Sequence, residues 1–290
     1  MTLTLKTALR LGRVSNVPTV WTNVAAGIAL AGAPFKLGPW LALCLAMSAL
    51  YVGGMYLNDA FDQRWDKQHR PDRPIVAGLV SARTVLIVGF SLLIAGIACM
   101  GIMALVGAST PGAVASSLLL AGLILYYNLH HKGNPLGPLV MGLCRVGVYV
   151  TTCMSFGPPT PMLWLGSALL LGHLIGLTYI AKHETRGKLL RLWPVLLFLP
   201  AAVFSLSQAW PWMLMGILYC GHTMWAGVAP ALGWNRSRQA NPGRAVPSLI
   251  AGISLFDAVL VARTGSWSVA GLCVVAFALT RFWQRHVPGT

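Results

Sequence analysis

Acidic residues are scarce in this chain: six Asp and Glu stand against 21 Lys and Arg among 290 residues, for a formal net charge of +15. Charge of either sign is scarce too, at 9% of residues, whereas a soluble domain carries about 25%. So little charge excludes an ordinary water-facing surface. With 56% hydrophobic residues and a mean hydropathy of +0.69, lipid is the expected solvent. Cysteine is sparse and unpatterned: Cys44, Cys99, Cys144, Cys153, Cys220 and Cys273 all lie in apolar stretches with no CxxC spacing. Neither a disulfide framework nor a thiolate metal site follows. No low-complexity tract, internal repeat or soluble module is present, so there is no basic folded face for nucleic acid. The opening segment "MTLTLKTALRLGRVSNVP" lacks a signal-peptide cleavage pattern and is expected to lie on the membrane surface as a short basic amphipathic helix.

What is abundant is long apolar sequence. Ten stretches, at 17–35, 38–57, 84–107, 111–128, 136–157, 161–181, 189–208, 210–230, 246–263 and 266–283, reach or approach the length needed to cross about 30 Å of hydrocarbon as a helix. They are too long for barrel strands. The expected fold is an all-α polytopic membrane protein, one domain over 1–290, with the last two stretches forming either two crossings or a re-entrant hairpin. Ten crossings put the N-terminus, the even-numbered loops and the C-terminus on one side, together with 18 of the 21 Lys and Arg. Only Lys36 and Arg263 fall opposite, and Arg145 sits inside a stretch. The positive-inside rule assigns the basic side to the cytoplasm of a multi-pass inner-membrane protein. The net charge then reflects orientation and anionic headgroups of the bilayer.

Four of the six acids fall in "NDAFDQRWDKQHRPDRPI", residues 58–75: Asp59, Asp62, Asp66 and Asp72. If the second apolar helix continues past the membrane face, Asn58, Asp62 and Asp66 share one face, each about 6 Å beyond the last. Two carboxylates so placed repel each other at the edge of a low-dielectric bundle unless a cation joins them. Oxygen-only ligands of this kind suit Mg²⁺, which binds through one or two carboxylates plus substrate phosphates. The set is expected to form half of a Mg²⁺–phosphate site, with Asp59, rotated away, orienting its neighbours. The alternative is a solvated loop whose aspartates pair with Arg64, Lys67 and Arg70.

The NDxxDxxxD pattern after a second transmembrane helix, followed by "RPIVAG" (Arg73 to Gly78), resembles the UbiA superfamily of intramembrane prenyltransferases, and "RVSNVPTVWTNVAAG" (Arg13 to Gly27) is similar to the start of that family's first helix. The resemblance covers nearly the whole chain. It implies a bundle of nine to ten transmembrane helices around a central cavity. It also implies transfer of a prenyl group from an isoprenyl diphosphate to a hydrophobic or aromatic acceptor, assisted by Mg. Carried over by position, Asn58, Asp62 and Asp66 would hold the metal and diphosphate, with the two aspartates catalytic. Arg73 would contact the diphosphate or brace the loop, and Asn16 would face the acceptor pocket. The family's second motif, DxxxD after the sixth helix, is replaced here by "LTYIAKHETRGK" (Leu177 to Lys188), which has one carboxylate, Glu184. Lys182 and Arg186, four apart, would share a helical face and could neutralise diphosphate oxygens in place of a second metal.

The EboC-like branch of the superfamily is similar in having an irregular second motif. The irregularity supports a second reading, a non-catalytic or altered relative that binds an isoprenoid within a membrane pathway or transport assembly. A small-molecule transporter is a third, opposed by the lack of inverted repeats. "LYYNLHHKGNPLG" (Leu125 to Gly137) resembles the family's tyrosine loop with a nearby lysine, so that Tyr126 or Tyr127 would face the allylic cation and Lys132 the diphosphate; the alternative is an interfacial aromatic belt. His130 and His131 are expected at the interface rather than on metal. Arg145 and Asp257, inside apolar stretches, either pair with each other or place Arg145 on the central cavity as a substrate-binding residue. His173 and His222 are expected as core histidines.

Overall fold

In hydrocarbon each backbone N–H and C=O must find its partner within its own segment, so apolar stretches of this length become helices. The computed structural model describes residues 3–182, 193–234 and 241–287, and its regular elements are all helical. A short α1 (Leu5–Leu11) and a 3₁₀ turn (Val14–Asn16) lead into α2 (Val17–Leu30). Then come α3 (Leu37–Phe61), α4 (Gln63–His69), α5 (Ala82–Leu105), α6 (Pro111–His130), α7 (Gly137–Met154) and α8 (Pro161–Lys182). A 3₁₀ segment (Trp193–Phe198) opens α9 (Leu199–Leu206), and a π-helical segment (Thr223–Val228) joins α10 (Met213–His222) to α11 (Ala229–Leu232). α12 (Pro242–Ala262) and α13 (Trp267–Trp283) complete the chain. Among the described residues, α3, α5, α6, α7, α8 and α12 are long and apolar enough to cross a membrane, while 195–206 and α13 are shorter apolar helices.

α12 is largely apolar and lies at the centre, with Leu249, Phe256, Val259 and Ala262 fully buried. α13 packs back along it. Gln284, one residue beyond α13, donates through Nε2 to Asn16 Oδ1 at 3.1 Å and to the Pro247 carbonyl at 3.0 Å. The chain therefore returns to the end of the bundle at which α2 begins.

Two devices position the acidic stretch. The first is close packing of α3 on α5, where a Cβ on Gly53 would lie 2.8 Å from the Gly89 carbonyl. Small residues permit such approach where hydrophobic association is weak. The second is an almost unbroken helical register from α3 into α4: Asp62 N bonds to Asn58 O and Asp66 N to Asp62 O, both at 2.9 Å. After α4 the chain turns through Arg73–Leu79 and reverses at Gly78, whose φ of +71° suits glycine.

Candidate active site

The register places Asn58, Asp62 and Asp66 on one inward face, at 7%, 8% and 4% exposure. That burial excludes the solvated loop. All three line a cavity of about 780 Å³ enclosed by α2, α3, α6, α7, α8 and α12. Asn16, Arg73, Tyr127, Lys132, Arg145 and Lys182 line it as well. Glu184 and Arg186 lie outside the described residues, so the expected Lys182–Arg186 face is represented here by Lys182, whose Nζ donates to the Asn134 carbonyl at 3.1 Å.

Asp59 does not line the cavity; it is tied to two arginines, Arg13 Nη2 at 3.4 Å and Arg73 Nη1 at 3.3 Å. Arg13 Nη2 also donates to Asn58 Oδ1 at 3.0 Å, and Asn58 Nδ2 donates to Asn128 Oδ1 at 3.1 Å. Asn128 in turn donates to the Gly54 carbonyl at 3.0 Å, so the orientation of the Asn58 amide is fixed from both ends. Arg13 reaches this position from a left-handed backbone, φ +44°, unusual for a residue with a side chain.

Asp62 and Asp66 differ. Lys132 Nζ stands 2.9 Å and His131 Nε2 3.3 Å from Asp62 Oδ2, and Lys132 also lies over the Trp65 ring, 3.9 Å from its centroid. Burial pushes the Asp62 carboxyl up, but hydrogen bonds and charge from His131 and Lys132 outweigh it and hold it below the ordinary aspartate value. Asp66 forms no ion pair among the described residues. Burial raises its pKa; Arg73 opposes that shift and the nearby Asp62 and Asp59 add to it. One carboxylate is thus already held by a cation, while its neighbour is buried and unpaired.

Sequence reasoning missed Arg13, Asn128 and His131. His131, expected at the interface, instead faces Asp62, with its ring stacked on Tyr127 at 4.7 Å. The aromatic-belt alternative fits Tyr126, which is 47% exposed, and not Tyr127, which lines the cavity. Arg145 and Asp257 do not pair directly, because Asn23 stands between them. His173 is a fully buried core residue, as expected, bonded to Tyr219 Oη at 2.9 Å.

Among the described residues no group of three His, Cys, Asp or Glu is placed to hold a metal. The available donors are one amide and two carboxylates, a hard-oxygen set that fits a cation completing its shell with water and phosphate. Deeper in, the lining turns apolar, with Met47, Leu50, Leu120, Ile124, Val148 and Ile253. One cavity thus joins a charged mouth to a greasy interior.

The model of the UbiA prenyltransferase family matches residues 19–240. Digeranylgeranylglyceryl phosphate synthase of Methanopyrus kandleri is 30% identical over 176 residues, 59% of this chain and 61% of that protein. The enzyme of the same name from Methanothrix thermoacetophila is 33% identical over 105 residues, 36% of each chain. This chain therefore aligns with less than two thirds of either relative. A UbiA homologue from Archaeoglobus fulgidus, solved with DMAPP and Mg²⁺, superposes with a TM-score of 0.62 at 12% identity, over 91% of this chain and 99% of that one. Such identity speaks for the fold alone. Because the family model spans most of its length, the chain belongs to the UbiA prenyltransferase family.

Proposed function

We propose that this chain transfers a prenyl group from an isoprenyl diphosphate to a hydrophobic or aromatic acceptor within the membrane, with Mg²⁺ as cofactor. The observation that carries the proposal is the polarity of this cavity, which has carboxylates and cations at its mouth and apolar side chains below. A diphosphate with a hydrocarbon tail has the same division. In the reaction the allylic C1–O bond breaks, diphosphate leaves with the electron pair, and the acceptor bonds to C1 and gives up a proton. Asn58, Asp62 and Asp66 would hold Mg²⁺, which when bound would supply positive charge to the diphosphate leaving group.

The chain's own residues do the rest. Arg13 and Asn128 hold the Asn58 amide oxygen in place. Arg73, partly buried and braced by Asp59, presents a guanidinium fork suited to phosphate oxygens. Lys132 and Lys182 add cations at the rim, and Glu184 and Arg186 follow Lys182 by two and four residues in the sequence. Tyr127 offers an aromatic face to developing positive charge. The apolar walls keep water from intercepting it. The basic loops around the mouth face the cytoplasm of a cell inner membrane on this reading.

The test is an assay of the purified protein with labelled prenyl diphosphates and a panel of acceptors that includes aromatic rings and a glycerol ether phosphate. Transfer that requires Mg²⁺ and is lost in Asp62→Ala is expected. Binding of prenyl diphosphate by the wild type without turnover would refute catalysis and favour an isoprenoid-binding role. A Lys182→Ala, Arg186→Ala double variant tests the second half of the site: weakened diphosphate binding is expected, and unchanged affinity would remove those residues from it.

A further inference from the structure

Outside the cavity, where α13 ends against the start of α12, three arginines gather without a counter-charge. Gln284 ties that end of the chain to Asn16 and to the Pro247 carbonyl, and its own Oε1 accepts from Arg281 Nη1 at 3.0 Å. α13 runs back along α12, so this contact brings residues just after Gln284 towards residues just before Pro247. Arg285 stands on the one side and Arg244 on the other, and both act electrostatically on Arg281. Arg244 and Arg285 are exposed, Arg281 is partly buried, and none of the three lines the cavity.

Among the described residues no carboxylate forms an ion pair with any of them. Asp59, Asp62, Asp66 and Asp72 belong to the α3–α4 end of the chain's path. Asp257 lies thirteen residues beyond Arg244, about 20 Å along α12. Like charges so gathered repel one another, and an anion between them removes the cost. Each guanidinium is a rigid fork of N–H donors shaped for two oxygens of a phosphate. The surroundings favour a phosphate that carries hydrocarbon. Phe282, beside Arg281, is 55% exposed, with its ring 5.0 Å from that of His286. α13 itself is an apolar helix that gives way to charge at this point, which is the level of lipid headgroups. A free phosphate would meet the arginines and leave the ring in water, whereas a lipid meets both.

We propose that Arg244, Arg281 and Arg285 form a phosphate site on the outer face of the bundle, between the start of α12 and the end of α13, that holds the headgroup phosphate of an anionic membrane lipid. Basic pockets between transmembrane helices recognise such headgroups by charge. Because Arg281 also holds Gln284, a lipid bound here fastens the end of α13 to α2 and α12.

The full chain, purified in neutral detergent and freed of native lipid, tests the site. It is titrated with phosphatidylglycerol, phosphatidylcholine and inorganic phosphate, and followed by thermal unfolding and by the lipid retained in native mass spectrometry. Phosphatidylglycerol is expected to bind saturably and raise the thermal midpoint. Its affinity should fall about tenfold or more in an Arg244→Gln, Arg285→Gln double variant. Without lipid that variant should unfold no lower than the wild type, because like charges have been removed, and this reports that it folds. A Lys6→Gln, Arg83→Gln double variant takes the same charge from exposed positions on α1 and α5 and should keep its affinity within about twofold. Equal losses in the two double variants would reduce the effect to diffuse attraction and overturn the site. Inorganic phosphate binding as tightly as phosphatidylglycerol would assign the arginines to a soluble anion and overturn the lipid. Phosphatidylcholine binding equally well, or no saturable phosphatidylglycerol binding in the wild type, would overturn it too.

Discussion

Asp62 and Asp66 stand one helical turn apart, yet their surroundings act in opposite directions, and the difference can be measured. Asp62 is held below the ordinary value because His131 and Lys132 overcome its burial; Asp66 is held above it because burial, with Asp62 and Asp59, overcomes Arg73. A lowered carboxyl stabilises the fold above its unfolded pKa, and that contribution is lost as pH falls through the folded one. A raised carboxyl destabilises the fold as pH climbs from the unfolded to the folded value, and the penalty persists above it. At neutral pH in EDTA, Asp66→Asn should therefore raise the thermal midpoint. Asp62→Asn should lower stability by about 1 kcal/mol, a modest figure because Lys132 is 41% exposed. Both variants should lose the stabilisation that Mg²⁺ gives the wild type. A lower thermal midpoint in Asp66→Asn, or a higher one in Asp62→Asn, would contradict the arrangement. Arg13→Ala, which releases Asn58 and Asp59, should weaken prenyl diphosphate binding about tenfold by titration. The common inward face of Asn58, Asp62 and Asp66 was readable because the three share one segment. Arg13 and Asn128 were hidden because they reach Asn58 from 45 and 70 residues away, a matter of tertiary packing.

At the scale of elements, α3 carries the site and α5 fixes α3. With a Cβ on Gly53 only 2.8 Å from the Gly89 carbonyl, a larger residue must push the helices apart. Gly53→Val should cost about 1–3 kcal/mol. It should also weaken diphosphate binding, since Asn58 lies little more than one turn further along the same helix. A chemical-denaturation curve and a titration check both effects; wild-type affinity in a destabilised Gly53→Val would show that α3 does not transmit the shift. Most helices were legible as apolar runs because hydropathy reports solvent, and solvent dictates backbone pairing here. It does not report hydrogen-bond register. The stretch expected at 189–208 is 3₁₀ over Trp193–Phe198 before becoming α9, and the one at 210–230 passes through a π-helical segment at Thr223–Val228. Pro194, Pro200 and Pro230 were visible in the sequence, but apolar composition alone gave no hint of either register change.

The cavity belongs to the whole molecule, and no linear pattern announces it, because its lining is drawn from α2, α3, α6, α7, α8 and α12 together. Orientation is a global property, and the placement of cations in the sequence gives an expectation of it. The basic loops near Arg13, Arg73, Lys132 and Lys182 meet around one cavity mouth, and the hydrogen bonds from Gln284 to Asn16 and the Pro247 carbonyl bring the end of α13 to that same face. A chain that begins and ends on one face crosses an even number of times. Cationic loops resist translocation, so that face should be cytoplasmic. Single cysteines introduced at Lys6 and Arg285, in a background with the six native cysteines replaced, should both resist a membrane-impermeant maleimide applied outside intact cells. Both should label once the inner face is exposed in inverted vesicles. A cysteine at Lys36, in the loop between α2 and α3, should show the reverse pattern. Labelling of Lys6 and Arg285 from opposite sides would require an odd number of crossings and could not be reconciled with a Gln284 that reaches Asn16. Labelling of both from outside would keep the even count, turn the mouth away from the cytoplasm, and leave the basic loops without the explanation that their charge supplies.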